Sequence, residues 1–330
     1  IELTFIIGVI IAISVIYYAI GLEYIFKLFW NPPSIALVLG GVIAATHMHF
    51  PENQFNKVFA RLFVALSFKS KHNLINDIDS SIIQTINYDN IVAPIQDPKS
   101  FRDFYAFRKH VEAGRKNRGL DMIPEYDQIP VFYFSNHQSI TGPGTIKVQA
   151  KHLDKLDFEF EIGLIISKQT RNVKAKDAYK YVAGLTILND WSARSMQLEE
   201  MKLNLGPAKG KDFSTSIGPY LVTLDELKDK IVGDECEMRY DLSMCGYLND
   251  KLISQDNLKN ISWSFADMIE RASYGVDLYP GDLIGSGTCS TGCLLELNLS
   301  SSSETWLKKG DEINLTVDCL GTLRNNISLI

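Results

Sequence analysis

A chain of 330 residues with a formal net charge of -6 has no basic stripe to neutralise phosphates, which excludes nucleic-acid binding as its main role. Its 46% hydrophobic content suffices for a sizeable core, in one large domain or two smaller ones. Cys236, Cys245, Cys289, Cys293 and Cys319, odd in number and irregular in spacing, build neither a disulfide framework nor a four-ligand zinc site, and read as reduced structural thiols in a cytosolic setting.

Residues 1–75 form a hydrophobic segment. Residues 1–20 carry one charge, Glu2, and residues 33–50 carry none. Each run is close to the roughly 17 to 20 residues that cross a bilayer core, so the pattern predicts two candidate membrane helices; buried core helices are the alternative. Lys57, Arg61, Lys69 and Lys71 follow the second run and place the rest of the chain in the cytoplasm, membrane-anchored through residues 1–50. Residues 76–90 are polar and read as a linker. From 91 to 330 the periodicity turns to short strands broken by Gly and Pro, as at 131–134, 147–149 and 217–222, with helices expected at 175–182 and after Asp190. Residues 310–325 alternate like a closing strand pair, and the region reads as mainly β with some α.

Several stretches offer chemistry. Polar and apolar residues alternate through 156–162, so an unbroken strand there would point Asp157, Glu159 and Glu161 the same way. Either a divalent cation compensates those like charges or they form a solvated face. Asp190, after an apolar strand at 184–188, reads as a further oxygen ligand or as a helix N-cap. On a helix through 100–110, Asp103 and His110 would stand two turns apart on one face, one for metal and one for protons. The loop 203–216 combines glycines, lysines and hydroxyls and suits an anionic group without matching a P-loop. Residues 285–288 and 292–297 read as a tight loop feeding a strand, whose single acid, Glu296, needs a buried partner that His110 would supply.

Two resemblances follow from these residues. Residues 29–46 resemble the second membrane helix of MotA-type flagellar stator proteins; the likeness covers about the first 75 residues and lacks the family's later helices, which implies an anchor or a fused fragment. Asp103-Phe104-Tyr105 with His110, the acids of 156–161, Asn189-Asp190-Trp191-Ser192-Ala193-Arg194 with Gln197, Leu205-Gly206-Pro207 with Gly210-Lys211, Ser286-Gly287-Thr288, Leu295-Glu296-Leu297 and Gly321-Thr322-Leu323-Arg324-Asn325 resemble the fumarylacetoacetate hydrolase family. That resemblance runs in order over about residues 91–330.

The second resemblance implies a mixed β-roll, commonly a homodimer, that hydrolyses a carbon–carbon bond in a small diketo acid and serves aromatic catabolism such as tyrosine degradation. It makes Asp103, Glu159, Glu161 and Asp190 the ligands of Mg²⁺ or Ca²⁺, with Mn²⁺ as an alternative, and leaves Asp157 a neighbour. His110 becomes the base, oriented by Glu296, and Lys211 joins them as a catalytic residue. Tyr105, Tyr133, Gln197, Thr288 and Arg118 would surround substrate, and Lys211 and Thr215 fall near a second cation. This sequence departs from the family in having Met201 near the place of a tyrosine, an arginine placed at Arg115 or Arg118, and a hydrophobic segment in place of an N-terminal β-domain. Oxaloacetate decarboxylation or dioxo-acid isomerisation on the same metal, or a non-catalytic fusion to a stator-derived segment, are the alternative readings.

Overall fold

The computed structural model describes residues 91–330 except 118, 205, 302 and 303. The hydrophobic segment, the linker, the stator resemblance and Arg118 therefore lie outside the described residues. Among those described, no helix is long and apolar enough to cross a membrane.

Strand β1 (Phe101–Phe104) leads through helix α1 (Arg108–Asn117) to β2 (Phe132–Ser135), β3 (Ile140–Thr141) and β4 (Gly144–Val148). Then come β5 (Leu156–Asp157), β6 (Phe160–Ile166), β7 (Thr170–Arg171), β8 (Val182–Asp190), β9 (Ser192–Ala193), α2 (Arg194–Met201) and β10 (Thr215–Val222). The chain closes with β11 (Ser243–Leu248), β12 (Lys251–Asn257), α3 (Phe265–Ser273), β13 (Asp277–Leu278), β14 (Leu283–Gly285), α4 (Leu294–Ser300), β15 (Glu312–Val317) and β16 (Gly321–Leu329).

Two sheets carry the architecture, a seven-stranded one in the order β2-β1-β14-β6-β8-β10-β3 and a five-stranded one in the order β12-β11-β15-β16-β4. Both are mixed: β1 and β14, β10 and β3, and β16 and β4 run parallel, while the other neighbours are antiparallel. The main core lies against one face of β6 and β8 and takes in Ile162, Leu164, Leu185 and Ile187 with Met244, Leu315 and Leu323 from the other sheet. Helix α3 covers part of it, starting at a Ser264–Asp267 capping box and burying Phe265, Met268, Ile269 and Ala272 at helical spacing. A smaller core of Phe101, Ile165, Leu188, Ile217 and Leu283 occupies the opposite face of the seven-stranded sheet. Strand register puts Asp103, Glu161 and Asp190 on that second face, two residues along from Phe101, Leu188 and their neighbours.

The mainly β reading of 91–330 and its closing strand pair agree with this architecture, and four local readings are corrected. The alternation at 156–162 is not one strand: β5 ends at Asp157 and pairs with β9, the chain breaks at Phe158 and Glu159, and β6 pairs with β8. Asp103 and His110 share no helix, since Asp103 lies on β1 and His110 on α1. Asp190 ends β8 and does not cap α2, whose N-cap is Ala193. The run after Gly292 is helix α4, not a strand.

Asp157 accounts for two of these corrections. Its carboxylate accepts the backbone N–H groups of Leu294 at 2.7 Å and Leu295 at 3.0 Å, which caps α4 with an anion supplied from 137 residues away in sequence. Arg194 donates Nε to the same carboxylate at 2.8 Å. Asp157→Ala therefore strips a cap and leaves a buried guanidinium half-paired. We expect a loss of about 3–5 kcal/mol in urea unfolding, the usual cost of breaking a buried pair from one side; a midpoint and slope equal to wild type would show that the bridge contributes nothing to the fold.

Candidate active site

Neighbouring strands bring the acids together. Asp103 of β1 lies opposite Gly285 of β14, which lies opposite Gly163 of β6, and Glu161 projects on the same face one step along. A Cβ on Gly285 would strike Oδ1 of Asp103 and come within 3.0 Å of Oε2 of Glu161, so a glycine here lets the two carboxylates approach. Asp190, at the end of β8, faces Thr215 of β10. Glu159 sits in the break between β5 and β6.

Two buried cations tie these acids into a chain. Nη2 of Arg194 stands 2.8 Å from oxygens of both Asp157 and Glu159, an electrostatic contact without hydrogen-bond alignment, while Nε makes the aligned bond to Asp157. Nζ of Lys211 lies 2.5 Å from Glu159 and 2.7 Å from Asp190. Tyr133 donates to the same Asp190 oxygen at 2.7 Å, and the Thr215 hydroxyl reaches the other at 3.4 Å. Glu161 accepts from the Gly287 N–H at 3.1 Å and from the Thr288 hydroxyl at 3.4 Å. Oδ1 of Asp103 is buried with no hydrogen-bond partner.

The proton affinities follow this pattern. Burial, then the charge of Asp190, pushes the Asp103 carboxyl up to about 7. Burial with Asp103 alongside pushes Glu161 well above the carboxylate range, and burial outweighs Lys211 to raise Asp190. Glu159 goes the other way: burial works to raise it, but Lys211 and Arg194 hold it below its ordinary value.

A hard divalent cation fits this donor set. The donors are all carboxylate oxygens, one is orphaned, a glycine clears the space between two of them, and three resist ionising without compensation. Yet the His, Cys and carboxylate ligand atoms that gather within 4.8 Å of one another, among the described residues, are those of His110, Cys293 and Glu296. The four predicted ligands are spread more widely, with Lys211 spanning Glu159 and Asp190.

One cavity of about 850 Å³ joins the parts. Its wall includes Asp103, Glu159, Glu161 and Lys211, together with His110, Glu296 and Tyr105, and also Tyr133, Gln197 and Thr288. Asp190 and Thr215, both fully buried, connect to that wall through Lys211 and Tyr133. Nδ1 of His110 is 2.8 Å from Oε2 of Glu296, and the ring of Tyr105 meets the imidazole edge-on with centroids 5.9 Å apart. Of the predicted residues, Tyr133 donates its hydroxyl hydrogen bond to Asp190, and the Gln197 carbonyl accepts one from Arg194 at 2.9 Å, which leaves the amide N–H groups of Gln197 uncommitted.

The loop 203–216 does hold an anion, though one of the chain's own: the N–H groups of Ala208, Lys209 and Gly210 converge on the carboxylate of Glu200 at 3.1, 2.6 and 3.2 Å. Sequence reasoning assigned no role to Arg194, Gly285 or Cys293. The signal for Arg194 was present, as a cation inside a motif that follows a run of acids; nothing local marked Gly285.

Comparison with known proteins agrees with the geometry. A family model described as fumarylacetoacetate (FAA) hydrolase C-terminal matches residues 99–328. The fumarylacetoacetase of Oryza sativa subsp. japonica is 29% identical over 60% of this chain and 58% of its own length, so the match spans little more than half of that relative. Oxaloacetate tautomerase YisK of Bacillus subtilis (strain 168) is 28% identical over 76% of this chain and 77% of its own. The solved fumarylacetoacetate hydrolase from Exiguobacterium antarcticum shares the fold, with a TM-score of 0.57 at 23% identity over 72% of this chain and 78% of that one.

The raised Asp103 carboxyl has a stability consequence. Its folded-state affinity, near 7 against 3.8, means that the folded protein holds the proton more tightly than the unfolded chain. Stability of the chelator-treated protein should therefore fall as pH rises from about 4 to about 7. Asp103→Asn should reduce that slope, the remainder coming from Glu161 and Asp190, which burial also raises; His152, whose burial lowers its affinity, tilts stability the other way. Added Mg²⁺, Ca²⁺ or Mn²⁺ should raise Tm at pH 8 and do little at pH 5. Melting curves identical with and without cation at pH 8 would rule out a cation at these carboxylates.

Proposed function

Because this chain belongs to the fumarylacetoacetate hydrolase family, we propose that it hydrolyses the carbon–carbon bond between two carbonyls of a small 1,3-diketo acid, of fumarylacetoacetate or acylpyruvate type. The supporting observation is the His110–Glu296 pair facing the carboxylate cluster across a single cavity.

The residues divide the work as follows. Asp103, Glu159, Glu161 and Asp190 would hold a divalent cation, which would supply Lewis acidity to the diketo group. Glu296 accepts the Nδ1 proton of His110, fixing the tautomer that leaves Nε2 basic. Nε2 takes a proton from water, and the hydroxide adds to the carbonyl carbon. The bond to the adjacent carbon then breaks, its electron pair leaves as an enolate, and the proton held by His110 returns to that fragment. Lys211 uses two of its three N–H groups on Glu159 and Asp190, and the third is free to steady the oxyanion together with the Gln197 amide. Val131, Phe132, Leu198, Met201 and Trp306 give the cavity an apolar side that suits an acyl chain.

Similarity to an oxaloacetate tautomerase favours a second reading on the same residues. Enolate chemistry without hydrolysis, as in oxaloacetate decarboxylation or dioxo-acid isomerisation, needs everything described here except water activation.

Turnover of a panel of acylpyruvates, fumarylacetoacetate and oxaloacetate with Mg²⁺ separates the two. His110→Ala should lower hydrolysis by about 10²–10⁴, the usual contribution of a positioned base. Decarboxylation that survives in the variant, with no hydrolysis in wild type, would replace the first reading with the second. Lys211→Ala should cost about 10²–10³ in kcat, as for loss of an oxyanion donor; near-normal turnover would remove Lys211 from the chemistry.

A further inference from the structure

We propose that His110, Cys293 and Glu296 form a second metal site, distinct in chemistry from the carboxylate cluster, that takes Zn²⁺ and blocks the base when filled. A ring nitrogen of His110, Sγ of Cys293 and a carboxylate oxygen of Glu296 all lie within 4.8 Å of one another, and all three residues line the cavity. Cys293 is fully buried and His110 is 8% exposed, so neither is an incidental surface group.

Local structure holds the trio. Cys293 is the N-cap of α4, and its Sγ accepts the N–H of Glu296 at 3.4 Å. That places Cys293 and Glu296 three residues apart on one side of the first helical turn, with His110 of α1 hydrogen-bonded to Glu296 across from them. Helix α4 is itself fixed by Asp157, so two of the three donors ride on a pinned backbone.

The donors are sulfur, imidazole nitrogen and one carboxylate oxygen, a set that selects zinc over the hard cations suited to Asp103 and its neighbours. Tetrahedral zinc with bonds of about 2.0–2.3 Å sets its ligand atoms about 3.5 Å apart, so side-chain rotation closes the remaining gap and leaves the fourth position facing the cavity. On binding, the thiol proton leaves to solvent, the Nδ1 proton of His110 moves to Nε2, Nδ1 and the carboxylate donate lone pairs, and no electron is transferred. With Nδ1 on the metal and Nε2 protonated, the imidazole no longer functions as a base. That blocking role rests on the hydrolytic reading above; the binding does not.

The test uses the full chain in excess Mg²⁺, which fills oxygen-only sites, with Co²⁺ as a spectroscopic probe. Wild type should develop a thiolate-to-cobalt charge-transfer band at one equivalent that Zn²⁺ displaces. Cys293→Ser, whose hydroxyl keeps the cap on Glu296, should lose the band while melting like wild type, and His110→Gln should lose the one-equivalent endpoint. A band that persists in Cys293→Ser, or no band in wild type, overturns the site. In turnover, Cys293→Ser should be more than ~100-fold less sensitive to Zn²⁺; equal inhibition of both overturns the blocking role. Should wild type turn over none of the panel, the hydrolytic reading fails while the cobalt spectrum still decides the site.

Discussion

Charge alternation through the buried interior is the constraint on which the rest of the structure depends. Asp157, Arg194, Glu159, Lys211 and Asp190 follow one another in contact, negative and positive by turns, with Tyr133 closing the end. Each of these ions would be prohibitive alone in a low-dielectric interior, and each is tolerable because its neighbours carry the opposite sign. Removing an acid leaves its cation half-paired, and removing Arg194 or Lys211 leaves Asp157 or Asp190 without its cation, so the ions are coupled.

The alternation is also incomplete. Asp103, Asp157, Glu159, Glu161 and Asp190 are all buried, against Arg194 and Lys211. Five carboxylates face two cations; Asp103 and Glu161 touch neither, and at Asp190 burial outweighs the contact with Lys211. Protons relieve the excess at low pH, and a divalent cation held by these carboxylates would relieve it at neutral pH. The same chain positions the His110–Glu296 pair, since Asp157 pins the start of α4 and α4 carries Glu296 to His110.

How much of this was legible in the sequence depends on the range of the interaction. Alternation at 156–162 marked the acids, and the motif 189–194 marked Asp190, because both signals lie within a few residues. The break at Phe158 and Glu159 was not legible: Asp157 is drawn off the strand line by Arg194 and by the N–H groups of Leu294 and Leu295, all distant in sequence. The same remote cap makes 294–300 a helix where its apolar pattern suggested a strand. Asp103 and His110 were expected to meet on one helix and instead meet across one cavity, because β1 takes its place in the sheet beside β14. Gly285 had no local signal at all, since its reason is the space that Asp103 and Glu161 need.

The cavity divides into two regions with different obligations. Its polar lining, with the carboxylates, Lys211 and the His110–Glu296 pair, carries the groups that the proposed enolate chemistry needs, chemistry common to hydrolysis, isomerisation and decarboxylation of dioxo acids. Its apolar lining, with Leu198, Met201 and Trp306, carries no member of the buried charge chain. Interactions there change which molecule is bound and how its scissile bond is presented, without altering the charge arrangement that the fold requires. The fold thus constrains the buried acids through their mutual compensation and leaves the apolar lining around Met201 outside that constraint.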